Sequence, residues 1–239
     1  MPAKNSIKVY ADNSYYHIYN RGVEKRLIFI DEQDYAVFLS YLKEYLLPKD
    51  EASLINILSS PTTSYKEKAQ ALKLIKLNNF VNEITLLSYC LMPNHLHFLL
   101  KQKSNNSIDK FMNSLCTRYT MYFNGKYKRV GSLYQDVYKA VLVENNQQLL
   151  YLSSYIHRNP VENLPKWKLE KLASKGDAFR GYFSQPSSLP EYLGQRHTKW
   201  VHPEEILKFF SEDNPKLSYQ SFVEQSKDIS PVEKLILDI

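Results

Sequence analysis

The chain has 239 residues, 44% hydrophobic and 23% charged, and 31 Lys and Arg against 25 Asp and Glu leave a net charge of +6. This globular composition excludes wholesale disorder, and the length suffices for one large domain or two small ones with a sizeable core. No apolar run approaches the ~20 residues of a membrane helix, and the first residues lack the apolar centre of a secretory signal. Two cysteines, Cys90 and Cys116, exclude a disulfide scaffold or a Cys-rich zinc site, so a cytoplasmic location is expected.

Taken in chain order, Ser14–Tyr19 alternates and reads as a strand ending at Asn20-Arg21-Gly22. Asp34–Leu47 carries Tyr35, Phe38, Leu39, Leu42 and Leu46 at helical spacing, with Asp34 as a cap and Pro48 as the stop. Residues 48–80 read as an insertion: a polar stretch rich in Ser and Pro, then a basic amphipathic helix over Tyr65–Leu77. Glu83–Leu91 and His95–Lys101 are β-rich runs separated by the turn Met92-Pro93-Asn94, a hairpin at the centre of a sheet. Ser107–Phe123 is an amphipathic helix with Asn124-Gly125 as its stop. Tyr138–Val143 reads as a strand, and Asn146–His157 as a helix that Asn159-Pro160 should end. The order β, α, β, β, α, β, α predicts an α+β fold of the ferredoxin-like, split βαβ kind with one extra helix. Residues 1–165 would form this unit, and 166–239 a helical C-terminal extension with short helices over Pro203–Phe210 and Ser218–Gln225.

The charge is not evenly spread. Residues 101–140 hold eight Lys and Arg against Asp109 and Asp136, interleaved with Tyr119, Tyr122, Phe123, Tyr127, Tyr134 and Tyr138. Cations that neutralise phosphate and rings that stack on bases suit nucleic acid. A solvated helix face with core aromatics would read the same way, so charge alone leaves both open.

His95 and His97 stand two apart on a predicted strand, so both imidazoles face one side while Leu96 and Phe98 face the other. Two such histidines are two legs of a divalent-metal site, or else two half-exposed strand residues, or one of them in the core. A tyrosine phenolate is a competent nucleophile on phosphorus if a metal polarises the phosphodiester. On a helix, residues four apart share a face. Among Tyr119, Tyr122, Tyr151, Tyr155 and Tyr192 of the predicted helices, Tyr155 is the one followed four residues later by a metal-capable group, Asn159. Tyr119 is followed by Phe123, Tyr122 by Lys126, Tyr151 by Tyr155 and Tyr192 by Arg196. Tyr16 precedes Asn20 at this spacing, but on a strand. Taken alone, Tyr155 and Asn159 are better read as a buried or surface tyrosine near a helix end and its cap. His157, two residues after Tyr155, points elsewhere on the helix and is not assigned as a ligand.

Together, LMPNHLHFLL (91–100) and YIHRNPVE (155–162) resemble the HUH single-tyrosine transposases, most nearly the REP-associated tyrosine transposases of bacteria. YHIYNRGVEKRLIF (16–29) is similar to that family's first strand and loop, and GSLYQDVYKAVLV (131–143) to its last core strand. SSLPEYLG, with Trp200 beyond it, resembles its C-terminal extension, while residues 48–80 depart from the family. The resemblance implies a single-stranded DNA endonuclease and strand transferase acting near DNA hairpins. His95, His97 and, by position, Asn159 would bind one Mg²⁺ or Mn²⁺, with Zn²⁺ or Ni²⁺ also compatible in vitro. Tyr155 would attack in line, giving a 5′-phosphotyrosine and a free 3′-hydroxyl. Arg21, Lys126, Lys128 and Arg129 are the expected DNA contacts, against ordinary surface cations. No small-molecule cofactor and no membrane are expected, and a nucleoid-associated monomer is favoured over a homodimer.

Two other classes compete. A domesticated relative could hold structured single-stranded DNA without cutting it, although it would need neither Tyr155 nor the metal ligands. A metal-dependent hydrolase using His95 and His97 with water would ignore Tyr155 altogether. Within the nuclease reading, Tyr119 is the second candidate nucleophile.

Overall fold

The computed structural model describes residues 8, 10–166, 168, 170, 171, 178–226 and 228–236. Of the expected C-terminal extension, residues 167, 169, 172–177, 227 and 237–239 lie outside them. The core elements are β1 (Ser14–Arg21), α1 (Glu32–Leu46), α2 (Glu51–Ser59), α3 (Tyr65–Lys76), β2 (Ile84–Met92), β3 (His95–Gln102), α4 (Ser107–Lys126), β4 (Lys139–Val143) and α5 (Asn146–Glu162). The four strands form one sheet in the order β2-β3-β1-β4, antiparallel at every pairing. That is the α+β, split βαβ arrangement expected from the element order.

Alternation along the strands sorts the sheet into two faces. One face carries Tyr16, Ile18, Tyr89, Leu91, Leu96, Phe98 and Leu100, buried against α1 and α4 through Phe38, Leu42, Phe111, Leu115 and Tyr119. The other carries Cys90, Met92, Leu99 and Val143, buried against Leu149, Leu152 and Ile156 of α5 and against Leu189, Ile206, Tyr219, Val223 and Leu235 of the C-terminal part. Each fully buried Leu, Ile or Phe contributes roughly 1.5–3 kcal/mol, so both faces hold the sheet rigidly.

Several boundaries differ from expectation. β1 runs through Asn20 and Arg21, because pairing with β3 continues to Arg21 opposite His95. α1 is capped by Asp31, not Asp34: the Asp34 N–H donates to Asp31 Oδ1 at 3.0 Å, and Asp34 Oδ2 accepts from the Asp31 N–H at 3.4 Å. This is a reciprocal capping box with Asp34 as its third helical residue. The polar stretch after Pro48 contains a helix, α2, started by Asp50, whose Oδ1 accepts from the Ser53 N–H at 3.0 Å. Gly125 does not stop α4. Lys128 takes the left-handed conformation (φ 53°) that closes it, with the Arg129 N–H on the Asn124 carbonyl at 2.9 Å.

Pro160 lies inside α5 rather than beyond it. The bias against helical backbone before proline is modest, and Asn159 and Pro160 are both buried there. The helix therefore carries Asn159 one turn beyond Tyr155. The outer edge of β2 is covered by the C-terminal part, through Leu91 N–H to the Pro186 carbonyl at 2.9 Å and Ser188 N–H to the Tyr89 carbonyl at 3.0 Å. Among the described residues, no helix is long and apolar enough to cross a membrane.

Candidate functional site

The face of the sheet beneath α5 carries a row of polar side chains amid apolar ones. Register places Arg21 opposite His95 and Tyr19 opposite His97, with His17 one step further along β1. Cross-strand partners share a face, so these five residues gather at the end of the sheet next to the β2–β3 turn. α5 crosses above them, stapled at its start by Asn145, whose Oδ1 accepts from the Gln148 N–H at 2.8 Å. Its Tyr155 and Asn159, four apart, face down onto the histidines.

His95 Nδ1 is 2.6 Å from the Asn94 amide oxygen, and His95 Nε2 is 3.3 Å from Asn159 Oδ1. The His95 and His97 rings are perpendicular, with centroids 5.0 Å apart. Tyr155 stands edge-on to the His97 ring at 5.7 Å and to His17 at 6.3 Å. His97 is fully buried (0% exposed), and its Nε2 has no hydrogen-bond partner among the described residues. A buried polar nitrogen without a partner costs free energy unless something absent here binds it.

The electrostatics favour neutral imidazoles. Burial pushes His95 down to about 4, with the Asn159 amide opposing this and the Arg21 guanidinium adding to it. Burial, then the neighbouring His17, His95 and Arg21, hold His97 well below its usual range. Neutral imidazoles are what a cation requires. Burial raises the Tyr155 phenol, while the Asn159 side chain and Arg21 act to lower it. Tyr155 is therefore protonated at neutral pH and is not a free phenolate in this state.

The donor set fits a divalent ion. Two neutral imidazole nitrogens and one amide oxygen converge, and three protein ligands leave positions open for substrate. Among the described residues there is no group of three His, Cys, Asp and Glu side chains able to hold a metal. Here the third donor is an amide, a type outside that set.

The residues expected to contact DNA divide. Arg21 reaches the site: it is half-buried, and its Nε has no partner among the described residues. Lys126 does not reach it. Its ammonium binds Asp31 Oδ2 at 2.7 Å and Asp34 Oδ1 at 2.8 Å, so phosphate would have to displace two carboxylates. Arg129 lies on the Phe123 ring, 5.8 Å from its centroid, with Nη1 on Asn124 Oδ1 at 3.1 Å. Lys128 is exposed at the end of α4.

The basic, aromatic segment is also less available to nucleic acid than its composition suggests. Arg118 pairs with Glu44 at 2.6 Å and Lys101 with Glu205 at 3.1 Å. Tyr119, Phe123, Tyr134 and Tyr138 are buried. Tyr119 is 0% exposed and its hydroxyl donates to the Ile28 carbonyl at 2.6 Å, which occupies it structurally. His157 sits in another polar pocket, with Nδ1 2.7 Å from the Tyr219 hydroxyl and Nε2 2.8 Å from Ser188 Oγ.

The sequence reading overlooked His17. Period-two alternation in SYYHIYNR already sets His17 and Arg21 on one face, but their nearness to His95 and His97 depends on the β1–β3 register.

Comparison with known proteins bears on this geometry. No curated protein matches the chain. Two solved structures are similar in part. One is a REP-associated tyrosine transposase bound to a REP hairpin, at 9% identity and a TM-score of 0.43, covering 83% of this chain and 96% of that one. The other is a candidate transposase from Deinococcus radiodurans R1, at 16% identity and a TM-score of 0.27, covering 64% and 96%. Residues 62–159 match the family model described as transposase IS200 like. That stretch runs from α3 side of the insertion through β2, β3, α4 and β4 to Asn159, and so includes His95, His97 and Tyr155. Over residues 62–159, this chain is similar to the IS200-like transposase family.

Proposed function

We propose that this protein is a single-stranded DNA endonuclease and strand transferase, with Tyr155 as its nucleophile and a hairpin-forming DNA as its substrate. The observation that carries this reading is the unpartnered, buried Nε2 of His97 beside the His95–Asn159 pair, with the Tyr155 ring standing over them. The IS200-like match over the same residues supports it.

In the reaction, the Tyr155 hydroxyl gives up its proton to water and its oxygen forms an O–P bond to the scissile phosphate. The P–O3′ bond breaks, and the leaving oxygen takes up a proton to become a 3′-hydroxyl. The 5′-phosphotyrosine keeps the energy of the broken bond, so a second 3′-hydroxyl can reverse the step without an external energy source. Arg21, opposite His95 across the β1–β3 pair, would bind a phosphate oxygen and orient it. Rigid placement of Tyr155 on α5, over a sheet buried on both faces, supplies the positioning. His95, His97 and Asn159 would hold Mg²⁺ or Mn²⁺, which when bound neutralises charge developing on the phosphate. Residues 1–165 carry the chemistry in this reading, 166–239 buttress it, and one copy of the chain holds a complete set of residues.

The test is a denaturing gel of labelled single-stranded hairpin DNA with Mn²⁺, comparing wild type with Tyr155→Phe. A covalent adduct in wild type that is absent in the variant supports the proposal. An adduct that persists in Tyr155→Phe removes Tyr155 as nucleophile. Hairpin binding by wild type with no adduct on any substrate favours a non-cleaving DNA-binding protein.

A further inference from the structure

His17 has no part in the chemistry described above, yet it is a fully buried imidazole in direct contact with His97. Its Nε2 is 3.0 Å from His97 Nδ1, and the two rings lie edge to edge, with centroids 5.2 Å apart and planes 7° apart. Its Nδ1 is 2.7 Å from the backbone carbonyl of Leu235, in the last described turn, Ser230–Leu235.

The chain of contacts has a direction. A carbonyl oxygen can only accept, so His17 Nδ1 must carry a hydrogen and donate it. In a neutral ring, Nε2 of His17 is then bare and accepts. The partner at 3.0 Å, His97 Nδ1, must therefore be the protonated nitrogen of its own ring. That leaves His97 Nε2 with a lone pair and no proton, and it is this atom that is buried without a partner. The opposite tautomer would aim an N–H into the site and leave His97 no lone pair there for a cation to bind.

We infer that His17 is a positioning residue: held by the Leu235 carbonyl, it accepts the Nδ1 proton of His97 and so presents the His97 Nε2 lone pair to a divalent cation. The inference rests on reading His97 as a cation ligand. It gives the C-terminal part a role in the site, because the acceptor that orients the relay comes from the Ser230–Leu235 turn rather than from the sheet. Outer partners of this kind orient a ligand and hold its tautomer.

The experiment has two readouts on the full chain. Nitrogen-15 NMR of the metal-free protein shows which ring nitrogen of His97 carries the proton. Calorimetric titration with Mn²⁺, without DNA, gives the affinity. In wild type, His97 should be protonated at Nδ1 and bare at Nε2. His17→Phe keeps a flat ring but offers no acceptor; it should mix the His97 tautomers and weaken Mn²⁺ binding about ten- to a hundredfold. His17→Gln can accept from His97 and donate to the Leu235 carbonyl, and should keep both the tautomer and the affinity close to wild type. A wild-type His97 protonated at Nε2 overturns the inference, even if His17→Phe fails to fold. So does a His17→Phe protein with unchanged tautomer and affinity. If wild type shows the expected tautomer but binds no Mn²⁺, the cation reading of His95, His97 and Asn159 fails first, and the role assigned to His17 falls with it.

Discussion

Acid should unfold this protein over a range set by its buried imidazoles. His17 and His157 are completely buried and His95 nearly so. Burial pushes His17 down to about 4, partly opposed by its bond to the Leu235 carbonyl; it pushes His95 to about 4 and His157 to about 3. Each folded value lies below the ordinary 6.5, so the unfolded chain binds more protons below that pH. The stability is whole above pH 6.5 and is lost as the pH falls towards 4. At pH 5, an imidazole that stays neutral in the fold but protonates in the unfolded chain costs about 2 kcal/mol. With His97, which burial and its neighbours also hold well below 6.5, four such groups sum to roughly 8 kcal/mol as an upper bound, comparable to the 5–15 kcal/mol that holds a typical protein folded. Allowing for relaxation of the fold, the melting temperature should drop on the order of 10 °C between pH 7 and pH 5. The assay is thermal denaturation at constant ionic strength with a chelator present, in steps from pH 7.5 to pH 4.5. His157→Gln removes one titrating group outside the proposed site and should flatten the slope by about a quarter. A melting temperature that stays level from pH 7 to pH 5 would refute the argument, because the fold would then be taking up protons as readily as the unfolded chain.

Asp34→Asn should cost about 2 kcal/mol in urea denaturation, since the buried carboxylate accepts from Lys126, Tyr122, Tyr127 and the Ile30 N–H. Burial resists ionisation of Asp34, but Lys126, the Ile30 N–H and the tyrosine hydroxyls outweigh it and hold the carboxyl below 3.8. Its stabilisation is thus present above that value and is lost as pH falls through the lower folded one, so the variant should lose its dependence only at the acid extreme, below the histidine range. Tyr119→Phe should cost about 1–3 kcal/mol by leaving the Ile28 carbonyl without its donor, while the covalent adduct on hairpin DNA persists. Gly22→Ala should cost about 2 kcal/mol or more by calorimetry, because the added Cβ would lie 2.3 Å from the Arg26 carbonyl oxygen, and it should weaken hairpin binding by displacing the adjacent Arg21. An unchanged melting temperature in Gly22→Ala would show that the loop after β1 yields freely.

What the sequence determined by itself was periodic and local. Two-residue alternation put His95 and His97 on one face, and Leu96 and Phe98 on the other. Helical spacing paired Tyr155 with Asn159. The order of strands and helices sufficed for the sheet, because right-handed, short connections leave few ways to wind it. Where local rules failed, tertiary packing outweighed a weak preference: Pro160 stays helical because it is buried, and Lys128 instead of Gly125 ends α4. Charge was the poorest guide. Lys126, Arg118 and Lys101 read as a phosphate-binding surface until Asp31, Asp34, Glu44 and Glu205, all 70 or more positions away, arrive to pair with them. His17 belongs to the same class of surprise. Nothing within a few residues of it marks a role. Its contact with His97 exists because β1 and β3 pair in one register, and its proton is oriented by a carbonyl 218 residues away. Periodicity is written in neighbouring residues, whereas hydrogen-bond and ion-pair partners are chosen by the fold, and only tertiary structure brings those partners together.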